Sequence, residues 1–181
     1  MSAVWLVIGV QAAGKSTVAQ GLAEAFPRSV HVRGDQLRRW AVNGWVQPGE
    51  GDGAEARRLL DLRYRLSARL ADGYCEAGFT TVVQDNLYGA DVEAWLGAVA
   101  ARPRHLVVLR PRVEVVAARD AARRAATGKV AYRPDGSTIE GLDRALGVVP
   151  GIGLWLDTSD LTPAETVAEV LARADEARLD P

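Results

Sequence analysis

The stretch "VIGVQAAGKST", Val7 to Thr17, decides how this chain is read. Its spacing, Gly9-x4-Gly14-Lys15-Ser16, is that of a loop that wraps phosphate groups. The setting agrees with the spacing. "AVWLVIG" (3–9) is a continuous apolar run, as expected of a strand buried on both faces, and a helical pattern opens at Lys15. Gly9 and Gly14 permit backbone that points successive N–H groups inward, and the helix adds its positive dipole end. Lys15 supplies a mobile charge for the outer phosphates, and the Ser16 hydroxyl suits Mg²⁺. Gly9, Gln11, Ala12, Ala13, Gly14, Lys15, Ser16 and Thr17 are therefore the candidate phosphate-binding residues.

Outward from this loop, strand and helix patterns alternate. A helix from about Lys15 to Phe26 ends at Pro27, and "SVHVRGD" (29–35) reads as a second strand closing on a polar corner. A short helix, "QLRRWAVNG", is expected to stop at Gly44, before the loop "QPGEGDG" (47–53). A long helix should run from about Ala54 to Ala77, with Leu59, Leu62, Leu66, Leu70 and Tyr74 on one face. Then come "FTTVVQDN" (79–86) as strand, "DVEAWLGAVAA" as helix, "RHLVVLR" (104–110) as strand and "PRVEVVAARDAARRAAT" as helix. "GKVAYRPDGST" (128–138) is a polar flap, followed by a short helical stretch, Ile139 to Leu146. "IGLWLDT" (152–158) is the last strand, and Thr162, Pro163 and Glu165 form a capping box for one final helix. This rhythm predicts an α/β domain spanning 1–181: a three-layer fold with a mostly parallel five-stranded sheet, helices on both faces and a small lid at about 124–140.

Bulk composition agrees with a single domain. The chain has 181 residues, is 48% hydrophobic and 25% charged, and carries a net charge of −1. That charge gives no reason to expect nucleic acid. No stretch approaches the roughly 20 apolar residues of a membrane span, and the first apolar run lacks a basic leader. The lone Cys75 cannot form an internal disulfide, which suits a reducing compartment, so a cytoplasmic location is expected and Cys75 reads as a buried thiol. Only Lys15 and Lys129 are lysine; the other cations are arginine. Nothing here sets the oligomeric state.

The phosphate loop alone leaves the reaction open, but several classes fail on sequence. A guanine-reading Asn/Thr-Lys-x-Asp is not matched by "TGKVAY", a transporter-type LSGGQ is not matched by "RLSARLADG", and 181 residues leave little room for a ring ATPase's helical subdomain. The remaining match extends along nearly the whole chain. With "GVQAAGKST", "HVRGDQLRRW", "VVQDNLYG", "VVLRPRVEVVAARDAAR" and "GLWLDTSDLTPAET", it resembles the chloramphenicol phosphotransferase-like and zeta-toxin-like P-loop kinases, and more distantly gluconate and shikimate kinases. The resemblance implies a P-loop NTPase fold, ATP and Mg²⁺ as cofactors, and a hydroxylated small molecule as acceptor.

Two carboxylates stand out at strand ends. Asp35 can take the proton of an attacking hydroxyl, as the aspartate at this strand end does in related small-molecule kinases, or cap the helix after it. Asp85 comes after the β-branched run Thr80 to Val83 and Gln84, and reads as an Mg²⁺ ligand, an acceptor contact or a turn former. Gln84 and Asn86 are weaker acceptor contacts. Arg33 and Arg38 flank Asp35 and favour an acceptor that is anionic or rich in hydroxyls.

Arg119 and Arg123 are helical neighbours at i, i+4, with Arg124 beside them and Lys129 and Arg133 in the flap. The resemblance puts Arg119 by the adenine, Arg123 or Arg124 on the phosphates, and Thr158 and Ser159 in the adenine loop. The arginines of the long helix, Arg63 among them, read mostly as a solvated face. Trp40 and Trp45 suit an apolar wall for the acceptor, with core packing an equal reading for Trp40. His31 and His105 read as structural.

The expected function is transfer of the γ-phosphate of ATP to a small-molecule hydroxyl. Antibiotic, nucleoside, sugar and related metabolite remain open as acceptors. A nucleotide-binding regulator or slow NTPase, acting through a protein partner at the Gly44–Gly53 loop, is the alternative.

Overall fold

The computed structural model describes residues 2–128, 132, 138–147 and 151–180. Five strands are formed: β1 (Val4–Gly9), β2 (Ser29–Arg33), β3 (Thr80–Gln84), β4 (Arg104–Leu109) and β5 (Leu154–Leu156). They join as one sheet in the order β2-β3-β1-β4-β5, and every pairing is parallel. A parallel sheet needs cover on both faces, which is why β1 and β3 are apolar or β-branched at nearly every position and fully buried. It also brings all five carboxyl ends to one edge. Gly9, Arg33 and Gln84 therefore finish near one another, with Gly9 in register with Leu109 and Arg33 with Gln84.

The helices are α1 (Lys15–Glu24), α2 (Gly34–Leu37) with a 3₁₀ turn at Arg38–Trp40, α3 (Gly53–Glu76), α4 (Ala90–Ala98), α5 (Val113–Thr127), α6 (Ile139–Gly147), α7 (Pro163–Ala172) and α8 (Ala174–Ala177). The crossover β1-α1-β2 runs one way across the sheet and β2-α3-β3 runs back, so right-handed connections put α1 and α3 on opposite faces. Accordingly α1 packs with α7, and α3 packs with α4.

Three expectations change. The short helix after β2 ends at Trp40 rather than near Gly44, and Ala41 is already extended, at φ −72° and ψ 116°. Trp40 is not core: it is 70% exposed, and Val42 is 92% exposed. The anticipated last helix is split at Arg173, whose φ of −110° and ψ of 30° leave the helical region.

The buried face of α3 also differs from the leucine stripe. Leu59 is buried, but Leu66 and Tyr74 are among the exposed large hydrophobics. Ala56, Arg63, Tyr64, Ser67, Ala68, Ala71 and Cys75 are turned inward instead. Small residues let a helix lie close on a sheet, so the phase that contacts it is the one with Ala and Ser. Trp95 of α4 completes this packing by donating from Nε1 to the Ser67 hydroxyl at 2.8 Å. Cys75 is a buried free thiol, as expected.

The start of α7 follows the sequence closely. Thr162 accepts from the Glu165 amide at 3.2 Å, and Glu165 accepts in return from the Thr162 amide at 2.8 Å. Replacing Thr162 by alanine should destabilise the chain by about 1 kcal/mol, read as a lower urea midpoint with an unchanged slope.

Candidate functional site

The loop between β1 and α1 makes an anion nest because its backbone alternates into left-handed geometry. Ala12 has φ 64° and Gly14 has φ 96°, the latter as the N-cap of α1. Gly9 is needed for closeness: a Cβ there would sit 2.5 Å from the Leu109 carbonyl oxygen on β4. Ala13 is buried and Thr17 exposed, with Gln11 and Ser16 between these extremes.

Lys15 starts α1 and folds back over the loop. Its Nζ donates to the carbonyls of Gly9 at 2.9 Å and Val10 at 2.7 Å, and the side chain is buried. Burial pulls the ammonium down to about 8, opposed by the negative charges of Asp85 and Asp35 and assisted by Arg123. Three other groups named from sequence, Asp35, Asp85 and Arg123, thus lie close enough to act on its charge.

Asp35 lies in the first turn of α2, half-buried, and its Oδ1 accepts from Gln84 Nε2 at 3.1 Å. Gln84, 3% exposed at the end of β3, is therefore turned onto the carboxylate. Arg33 is exposed and Arg38 half-buried beside it. The side chain of Asp85 is sealed from solvent, and its Oδ1 accepts from Arg63 at 2.8 Å and from the Asn86 amide at 2.7 Å. Burial raises the Asp85 carboxyl above the usual range, while Arg63 draws it back. The Asn86 carbonyl accepts from Tyr64 at 2.7 Å.

On the other side, Arg119 of α5 donates to the Thr158 carbonyl at 2.8 Å and reaches the Ala13 carbonyl at 3.5 Å. It thereby bridges the phosphate loop and the segment after β5. Thr158 is buried with its hydroxyl unpartnered, whereas Ser159 is used locally, bonded to Asp157 and to the Arg112 amide. Arg123 pairs with Asp120 on the same helix. Arg124 does not join them; with Ala117, Asp120, Ala121, Ala125, Tyr132 and Ile139 it lines an open cavity of about 560 Å³. Lys129 and Arg133, and the middle of the expected lid apart from Tyr132, lie outside the described residues. Tyr132 is described, and its hydroxyl donates to the Gln11 carbonyl at 2.6 Å.

His31 meets Gln20 through Nδ1 at 2.9 Å, and His105 stacks on Trp5 at 4.0 Å. Neither belongs to the site. Arg63, Tyr88 and Tyr132 do approach it and were not singled out by sequence. Tyr88 has a buried, unpartnered hydroxyl, which burial pushes up from its ordinary value. The signal for Arg63 was present: it is four residues after Leu59 and four before Ser67, on the small-residue phase of α3.

A phosphate-loop strand, a helix opening on it and acidic strand tips at one sheet edge define a P-loop fold of the kinase type. The chain belongs to the family described as "AAA domain", whose model matches residues 4–145. Among solved structures it is similar to a sugar kinase from Janibacter sp. HTCC2649, with TM-score 0.70, 19% identity and coverage of 98% of this chain and 96% of that one. The tunicamycin resistance protein of Deinococcus radiodurans gives TM-score 0.65 at 18% identity, with 100% of both chains covered. A gluconokinase from Sinorhizobium meliloti 1021 gives 0.61 at 20%, covering 97% and 94%. No curated protein matches the sequence. Among the described residues, no helix is long and apolar enough to cross a membrane.

The buried ammonium has a measurable cost. Because the Lys15 pKa in the folded chain, about 8, lies below its ordinary 10.5, the unfolded chain binds more protons between those values. Stability must then rise with pH across that window. The unfolding free energy of wild type minus that of Lys15→Met should increase by ~1–3 kcal/mol across the window. A flat difference in urea titrations would show that Lys15 is not desolvated.

Proposed function

We propose that the chain is an ATP- and Mg²⁺-dependent kinase that moves the γ-phosphate to a hydroxyl of a small molecule. The observation that carries this reading is the meeting of Lys15 and Asp35 at one sheet edge, with Asp35 held by Gln84. Lys15 and the loop amides from Gly9 to Thr17 would bind the phosphates. The Ser16 hydroxyl, at the first turn of α1 and half-exposed, fits a contact to Mg²⁺. Bound with the phosphates, Mg²⁺ would neutralise part of their charge.

In this reading the acceptor oxygen attacks the γ-phosphorus as its bond to the bridging oxygen breaks, and ADP leaves. Asp35 receives the acceptor's proton. A base so placed contributes about 10²–10⁴-fold. Arg123, near Lys15, would stabilise charge on the transferred group, and Arg119, tied to Thr158, would border the base. Arg124 would reach the nucleotide only by leaving its cavity.

Arg33 and Arg38 have no carboxylate partner among the described residues, so the acceptor is proposed to be anionic or rich in hydroxyls. The exposed Trp40 and Val42 provide an apolar flank next to them. Asn86 lies at the same edge. Sugars, sugar acids, nucleosides and antibiotics all meet this description, and the similar structures include proteins described in sugar and antibiotic terms.

The test is ATP consumption by the purified chain with a panel of such compounds, with products weighed by mass spectrometry. One class should stimulate turnover and gain one phosphoryl group. In the same assay Asp35→Asn should keep ATP affinity and lose about 10²-fold or more in turnover. Tight ATP binding with no acceptor ever gaining mass would defeat the kinase reading and favour a regulator.

A further inference from the structure

Asp85 stands where a carboxylate would suit a nucleotide's cation, yet one of its oxygens is already paired and the other is enclosed by backbone. Oδ1 is held by Arg63 at 2.8 Å and by the Asn86 amide at 2.7 Å. Oδ2 is buried without a hydrogen-bond partner, and it is turned toward Gly34. The approach is so close that a Cβ on Gly34 would lie 2.1 Å from Oδ2 and 2.6 Å from the carboxyl carbon. The Asp85 side chain is 0% exposed and that of Arg63 10%. Among the described residues, no group of three or more His, Cys, Asp or Glu forms a metal-binding arrangement.

We propose that Arg63 takes the place of a metal ion on Asp85, making the carboxylate an internal counter-ion between α3 and the sheet edge. Mg²⁺ is then left to Ser16 and the nucleotide phosphates, and Asp85 contacts neither cation nor acceptor. Charge balance supports this. A cation arriving at Oδ1 would have to displace the guanidinium and leave it buried without a counter-charge. A cation arriving at Oδ2 would have to push back the Gly34 backbone, which opens α2 and carries Asp35 next in sequence.

The pair also has a mechanical reach. It fastens the end of β3 to the middle of α3, and the residue before Asp85 is Gln84, which holds Asp35. The counter-ion claim rests on the kinase reading only for the nucleotide it would bind.

Two measurements on the full chain test it. In the first, ATP binding is measured by calorimetry with Mg²⁺ and with EDTA, for wild type, Ser16→Ala, Asp85→Asn and the double variant Arg63→Met/Asp85→Leu. The gain in affinity from Mg²⁺ should change by no more than about twofold in Asp85→Asn and in the double variant. It should fall about tenfold or more in Ser16→Ala. Should Asp85→Asn fail to fold, the double variant, which leaves no buried charge alone, carries the comparison. Loss of the Mg²⁺ effect in either Asp85 variant overturns the proposal.

In the second, thermal midpoints are compared for Arg63→Met, Asp85→Asn and the double variant. Each single change should lower the midpoint, and the double variant should recover most of the loss. A double variant less stable than both singles overturns the proposal. A wild type that does not bind ATP sinks the kinase reading instead, and the thermal comparison alone then decides the ion pair.

Discussion

A lysine ammonium sealed inside a protein must be surrounded by oxygen, and the sheet edge is organised around that demand. Lys15 satisfies it with the carbonyls of Gly9 and Val10 close by and the charges of Asp35 and Asp85 further off. Each carboxylate brings a restraint of its own: Gln84 for Asp35, and Arg63 for Asp85. Removing one member of a pair alone would leave its partner in low dielectric without compensation. The groups gathered at the sheet edge therefore hold one another in place.

Parallel strand order makes this concentration possible. Because β1, β2 and β3 all point one way, their last residues arrive together without any long loop to carry them. The close approach of Gly9 to Leu109 then ties the phosphate loop to β4. Arg119 adds a tie from α5 to the segment after β5. Both ties come from the β4–β5 side of the sheet, one through backbone packing and one through a side chain.

Strands, the long helix and the capping box were legible because each rests on local pattern: apolar runs, apolar spacing and Thr162-Pro163-x-Glu165. Gly9, Lys15 and Asp35 were legible because a motif or a strand end marks them. The inward phase of α3 was not, since the leucines gave a louder signal than the alanines that touch the sheet. Arg63 was lost with it, for an arginine is read as solvated until a buried partner is known. Gln84 and Tyr132 make contacts to Asp35 and Gln11 that span 49 and 121 positions, which no short window contains.

The bond from the Tyr132 hydroxyl to the Gln11 carbonyl joins the region after α5 to the crest of the phosphate loop. Any widening of the gap between them has to break that bond first. With that oxygen engaged by a hydroxyl, the crest of the loop offers one acceptor fewer, and its inward surface is left to the amide donors.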